Sequence, residues 1–487
     1  MNSLLTLLSV SAALPAAAFT PYTPTSGWTY HVEAAREGVW PSCAYRFLSY
    51  DSGCSSVDLW KAAGGNQEWT LQDAGGGSFY LKTSCGKYLS YSGDCDAHVL
   101  DLWAEAGGNQ KFNFVKGNNG DFEWYLEAAG RASCAYRWAS FPVPCTTSSP
   151  DSIDLWKDAG TDQRFRIHPV RNSKNPLVHS MNAGFGCADP FVWWSDEAAA
   201  YRLQCTGGML PLAETTKLSS EASFSKLGNS LGGSPPSWAS NSNRWAPENF
   251  EVDGVDYVFF SDAQSDGVHR IGWAASSTGP EPSTYTTYAS SYMSLGGAPG
   301  GDIDQTIFTD DNGKTYIVWK TDDNAVGSTS TRIFAQQISF GNYSVSLVGD
   351  RKQIMDSTGL WWVDSWVSGG SLVEGPEILK LNGWYYLFFA SGKYCQDSYA
   401  EGVARSSSIW GPYDKLEVPL LATGVVGNAA SNGAKLVGPG HASVAEDHSS
   451  KGTYWVVYHA SAGENCDRYP FVDKLKFTDD GWPFVAF

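Results

Sequence analysis

The C-terminal 300 residues repeat one pattern five times: a short turn, then an aromatic-rich strand, with a polar or charged residue 9 to 13 positions before the strand's leading tyrosine. The strands open at Tyr201, Tyr257, Tyr316, Tyr385 and Tyr454, and the preceding residues are Asp189, Glu248, Asp304, Glu374 and His441. The leading tyrosines are 56, 59, 69 and 69 residues apart, the scale of a four-stranded propeller blade. Turns are supplied by Asp253-Gly254, Asp311-Asn312-Gly313, Asn382-Gly383 and Lys451-Gly452. The expected fold is all-β. Closing five blades into a ring would carry side chains that are remote in sequence to one central axis.

At 487 residues the chain exceeds one compact core, so more than one domain is expected. A net charge of −18 argues against nucleic acid or an anionic membrane as partner. The 21 tryptophans and 24 tyrosines suit sheet interiors and also the flat faces of sugars. Residues 1–18, ending Leu14-Pro15-Ala16-Ala17-Ala18, read as a signal peptide, and no later run is long and apolar enough to span a membrane. Ten cysteines fit an oxidising compartment, so a secreted, extracellular protein is expected. Separations of 11, 10 and 11 predict local bridges Cys43–Cys54, Cys85–Cys95 and Cys134–Cys145, leaving Cys187–Cys205 and Cys395–Cys466.

The N-terminal part carries a repeat of its own. Asp58-Leu59-Trp60, Asp101-Leu102-Trp103 and Asp154-Leu155-Trp156 each precede a glycine-containing turn and then Gln-x-aromatic: Gln67-Glu68-Trp69, Gln110-Lys111-Phe112 and Gln163-Arg164-Phe165. Three such units predict a closed β structure with pseudo-threefold symmetry, in which these residues fill core and turn positions. The Gln-x-aromatic repeat resembles the ricin-type β-trefoil, which implies a carbohydrate-binding module over residues 19–168. Candidate sugar contacts are Tyr45, Arg46, Tyr91, Tyr136, Arg137 and Trp138 near the cysteine loops. Residues 169–178, polar and broken by two prolines, read as a linker, and 179–487 as the five-bladed β-propeller.

The axis-facing elements are Ala188-Asp189-Pro190, Trp245-Ala246-Pro247-Glu248, Ile303-Asp304-Gln305, Glu374-Gly375-Pro376 and Gly438-Pro439-Gly440-His441. They resemble the motifs of glycoside hydrolase family 43, five-bladed propellers that cleave arabinosyl, xylosyl and related linkages with inversion. The resemblance implies Asp189 as general base, Glu374 as general acid and Asp304 as the carboxylate that tunes and orients the acid. It also implies sugar contacts from Trp193, Trp245, Ser391, His441 and Arg468. Strand alternation would turn Glu377 away from Glu374, and would leave Asp302 sharing the face of Asp304. The resemblance requires no cofactor and admits a structural Ca²⁺ near His441, reached through water. The expected activity is release of terminal α-L-arabinofuranose from plant cell-wall polysaccharide or oligosaccharide by a monomer. β-Xylosidase, exo-β-1,3-galactanase and galactofuranosidase activities are alternatives within the enzyme class. A non-catalytic carbohydrate-binding protein is the alternative outside it.

Overall fold

The computed structural model describes residues 24, 26, 29–35, 45–169 and 186–486, apart from 46, 61–64, 118–122, 142–151, 220–222, parts of 235–242, 328–329, 361–371, 417–418, 424–435, 463–465 and 478–480. The expected signal peptide, the linker beyond Pro169, Arg46, Cys43 and Cys145 lie outside the described residues.

In the N-terminal region six antiparallel strands close on themselves. Thr29–Ala34 pairs with Glu68–Gly75, then follow Ser78–Lys82, Lys111–Lys116, Glu123–Ala128 and Arg164–Pro169, which returns to the first strand. Three hairpins are attached to the ring: Phe47–Tyr50 with Val57–Trp60, Tyr88–Tyr91 with Leu100–Trp103, and Trp138–Ser140 with Asp154–Trp156. The Gln-x-aromatic repeat explains the closure. Trp69, Phe112 and Phe165 are fully buried in the common core. Gln67, Gln110 and Gln163 each donate a buried hydrogen bond from Nε2 to a hairpin serine, Ser49, Ser90 and Ser140, at 2.7, 2.8 and 2.7 Å.

The Asp-Leu-Trp element divides differently from the expectation. Its leucines are buried, but Trp60, Trp103 and Trp156 are 38%, 57% and 45% exposed. A tryptophan left in water at all three equivalent positions contributes little to the core.

The disulfides also depart from the short loops expected here. Cys54 bonds to Cys85 and Cys95 to Cys134, each joining one repeat to the next. Proximity across the pseudo-threefold contact outweighs proximity in sequence: Lys87 Nζ reaches the Cys54 carbonyl at 2.7 Å, and Arg131 donates to the Ala97 carbonyl at 2.7 Å. The other two bridges, Cys187–Cys205 and Cys395–Cys466, are those the sequence suggested.

The C-terminal region consists of five antiparallel sheets. Their innermost strands are Phe191–Ser195, Trp245–Val252, Asp302–Thr309, Glu374–Leu381 and Leu436–Glu446, in blades 1 to 5. Each innermost strand packs beside the next, and the fifth beside the first, so the arrangement is a closed five-bladed propeller. Aromatic strand runs such as Tyr385–Phe389 fill the layers between blades.

One backbone device recurs at the innermost strand of every blade, close to the strand's start in four of them and midway along Leu436–Glu446 in the fifth. Asp189, Ala246, Asp304, Gly375 and His441 all have positive φ, between 44° and 54°. Four of the five strands shift register here, between Trp245 and Glu248, Ile303 and Thr306, Glu374 and Glu377, and Val437 and Ser443. Such a bulge re-aims the side chains at a sheet end.

Candidate active site

The left-handed residues ring a narrow axial cavity with about 20 Å³ of free space, lined by Asp189, Ala246, Asp304, Gly375 and His441 and the two residues after most of them. The five residues counted back from the tyrosines are therefore not all backbone equivalents. Glu248 lies two residues beyond its left-handed position, and Glu374 one before. Counting in sequence missed this because bulges add residues without adding strand length.

Asp189 is the most heavily partnered carboxylate. Its Oδ1 lies 3.0 Å from Arg468 and 3.3 Å from Nδ1 of His441, and its Oδ2 accepts from the Thr206 hydroxyl at 2.5 Å. Its backbone N–H donates to Nδ1 of His459 at 3.0 Å. Burial pushes the Asp189 carboxyl up, but Arg468, His441, His459 and Thr206 outweigh it and hold it well below the usual range. His459 is fully buried, and burial together with Arg468 drives its pKa far down, so it accepts as a neutral ring. Both propeller disulfides brace this group. Cys205 immediately precedes Thr206, while Cys187 and Cys466 lie two residues before Asp189 and Arg468.

Glu374 and Asp304 face each other across blades 3 and 4. The Gly375 N–H donates to Asp304 Oδ2 at 3.3 Å. Glu374 accepts from Lys320 Nζ at 3.1 Å and from the Tyr399 hydroxyl at 2.8 Å. Asp304 is pushed up to about 6, by burial first and also by the charges of Glu374 and Asp189, with His441 and Lys320 opposing. Lys320 is almost fully buried; the neighbouring charges of Glu374, Asp322 and Asp304 overcome its desolvation and keep it cationic. Tyr399 stacks parallel to His459, 5.7 Å between centroids, and so links the Glu374 group to the Asp189 group.

A second acidic layer lies deeper on the axis. Thr306 Oγ1 is 3.2 Å from Glu248 and 3.1 Å from Glu377, and the Ile307 N–H donates to Glu248 at 2.6 Å. Burial pushes Glu377 up to about 7, and burial plus the Glu377 charge raises Glu248 well above its ordinary range. The Val444 N–H reaches Glu377 at 3.3 Å, so each carboxyl has a backbone donor of its own beside the Thr306 hydroxyl. Glu377 is not turned away from Glu374 as simple alternation would have it: Glu374 pairs with Ala390 and Glu377 with Phe388, two residues apart on one strand face. Asp302 is withdrawn from Asp304, because the left-handed turn breaks the alternation and Asp302 accepts from the buried Trp319 indole at 2.9 Å.

Of the other residues singled out, Arg468 and His441 join the Asp189 group. Trp245 stands beside it, stacked on His269 at 3.5 Å and next to Ala246, whose N–H donates to Thr206. Ser391 is fully buried and donates to the Leu372 carbonyl, so it offers nothing to a ligand. Trp193 is four residues beyond Asp189, roughly 13 Å along an extended strand, and lines a different concavity. A Ca²⁺ held directly by His441 does not fit the residues present. Such an ion takes six to eight oxygens, whereas His441 offers ring nitrogens, of which Nδ1 is turned to Asp189, with a guanidinium on the same carboxylate oxygen. Among the described residues no group of three or more His, Cys, Asp or Glu is arranged around a metal position.

Thr206, His459, Lys320 and Tyr399 escaped the sequence reading. Thr206 had a signal, since the expected Cys187–Cys205 bridge sets it beside Asp189. Lys320 and Tyr399 had none, because the cross-blade contacts that give them meaning leave no local pattern.

The family model for "Glycosyl hydrolases family 43" matches residues 183–483. An Aspergillus oryzae protein named "Probable arabinan endo-1,5-alpha-L-arabinosidase C" is 28% identical over 320 residues, 61% of this chain and 90% of that one. An extracellular exo-α-(1→5)-L-arabinofuranosidase of Cellvibrio japonicus is 25% identical over 280 residues, 52% of this chain and 74% of that one. A thermostable family-43 glycoside hydrolase of known structure superposes with a TM-score of 0.51 at 24% identity, over 62% of this chain and 93% of that one. An endo-arabinase from Bacteroides thetaiotaomicron gives 0.51 at 18% identity, over 61% and 97%. These two structures share the fold.

Proposed function

Because the chain belongs to glycosyl hydrolase family 43, we propose that this glycoside hydrolase is secreted, acts as a single chain, and releases terminal α-L-arabinofuranose from plant cell-wall polysaccharide with inversion. Asp189 is the general base: it takes a proton from a water as that water attacks the anomeric carbon. Glu374 is the general acid: it gives its proton to the glycosidic oxygen as the C–O bond breaks. Inversion asks for the two carboxyls about 6.5–9.5 Å apart, with the water between base and sugar. Asp304 stands beside Glu374, accepts from the Gly375 N–H, and so helps to orient the acid. Lys320 and Tyr399 fix that carboxyl by charge and hydrogen bond, and Arg468 with His441 keeps Asp189 ionised.

The observation that carries the reading is the convergence of Asp189, Asp304 and Glu374 from three blades onto one axial end, with Asp189 held by Arg468, His441 and Thr206 and Glu374 by Lys320 and Tyr399. The alternatives are separated by nitrophenyl α-L-arabinofuranoside, β-xyloside, β-galactoside and β-galactofuranoside. The arabinofuranoside should turn over fastest, and Asp189→Asn and Glu374→Gln should abolish it with folding intact. Equal turnover in both variants refutes the site; preference for another glycoside replaces the substrate but keeps the site.

The N-terminal region is read as a ricin-type β-trefoil that binds carbohydrate. The closed six-stranded ring with three hairpins supports this. So do Trp60, Trp103 and Trp156, which offer one exposed indole per repeat.

A further inference from the structure

Blades 1 and 2 enclose a second concavity of about 320 Å³, at the far ends of the innermost strands Phe191–Ser195 and Trp245–Val252. Its lining includes Trp193, Asp196, Glu197, Glu251, Asp256 and Thr278. The carboxylates are held in place. Asp196 accepts from the Trp194 indole at 2.8 Å, Glu251 from the Gly254 N–H at 2.8 Å, and Asp256 from the Asn249 amide at 3.2 Å. Glu197 lies against Gly279, where an added Cβ would come within 2.0 Å of its carboxylate.

The chemistry narrows the occupant. No Lys, Arg or His lines the concavity, which disfavours an anion. Among the described residues no three carboxylates converge on a metal position, which disfavours an ion such as Ca²⁺. An aromatic wall with several acceptors suits a ring that presents C–H groups on one face and hydroxyl donors at its edge. The volume sits at the small end of ligand sites, roughly 300–1,000 Å³, which is room for a sugar unit or two.

We propose that this cleft binds a neutral sugar unit of a polysaccharide and holds the polymer at a point remote from Asp189 and Glu374. The choice of a sugar rests on the glycosidase reading above. Binding is read on the full-length Glu374→Gln chain by calorimetric titration with arabino- and xylo-oligosaccharides, with and without Trp193→Ala, so that binding by other parts of the chain cancels. Because Trp193 stacks on Phe191, the double variant Glu197→Gln/Glu251→Gln on the exposed rim provides an independent test. Either change should remove one class of site or weaken it about fivefold or more. In the active chain the rim variant should raise KM for polymer about threefold or more while leaving nitrophenyl glycoside turnover unchanged. Identical oligosaccharide binding in parent and both variants overturns the inference, as does a cleft that responds to Ca²⁺ or glucosamine but not to neutral oligosaccharides. Loss of the glycosidase reading would show separately, as no glycoside turned over by the parent.

Discussion

In the N-terminal ring the recurring position is chemically constant: Gln67, Gln110 and Gln163 make the same buried bond to a hairpin serine three times over. In the propeller the recurring position is constant only in its backbone. A left-handed residue stands at the axis in all five blades, but it is Asp, Ala, Asp, Gly and His in turn. The first repeat uses symmetry to close a core. The second uses the same kind of symmetry to bring chemically unlike residues to one place, and the chemistry appears where the residues stop repeating.

The largest break in that comparison comes from the diversified positions. Asp189→Asn and Glu374→Gln should each lower kcat by about a thousandfold or more while the melting temperature moves little. Gly375→Ala tests the backbone device itself. The residue has φ of 54° and an added Cβ would lie 2.9 Å from His441 Cγ. The imidazole must move off Asp189, and kcat/KM should fall about 10–100-fold, in line with small misplacements of catalytic groups.

Asp304→Asn should act through pH. Its folded pKa of about 6 lies above the ordinary 3.8, so it binds more protons folded than unfolded between those values. The ionised group therefore costs stability as pH rises from about 4 to 6, by about 1–3 kcal/mol. Asparagine should melt higher than the parent at pH 7 and equal to it near pH 3.5. The same change should remove the acid limb of the rate profile near pH 6, since Asp189 stays ionised far below that. A limb that survives the substitution assigns it to another group.

The constant repeat should respond in the opposite way. Gln110→Ala leaves the buried Ser90 hydroxyl without its donor and should cost about 1–3 kcal/mol of stability, read as an earlier unfolding transition with nitrophenyl glycoside turnover unchanged. Smallest of all, alanine at Trp60, Trp103 and Trp156 together should weaken retention on insoluble polysaccharide about 3–10-fold and leave both stability and small-substrate rates alone.

Much of this architecture is legible in the chain itself. The tyrosine-led strands and their turns give the blades, the Gln-x-aromatic elements give the ring, and Asp189, Asp304 and Glu374 are the three carboxylates that meet. What could not be read depends on contacts between repeats. The Cys54–Cys85 and Cys95–Cys134 bridges follow from which loops become neighbours, not from the shortest sequence loop. The offsets of Glu248 and Glu374 from the left-handed positions come from bulges, which insert a residue without a compositional mark. Trp193 and Ser391 carried suitable side chains on suitable strands, but a strand's depth along the axis decides whether a residue reaches the ligand end.

Proton NMR of the first sugar released from an α-L-arabinofuranoside reports most directly on whether Asp189 and Glu374 act from opposite sides of the scissile bond. The account predicts that the β-anomer appears first and then mutarotates. Initial release of the α-anomer would mean a covalent intermediate on one of these carboxylates, and would contradict it.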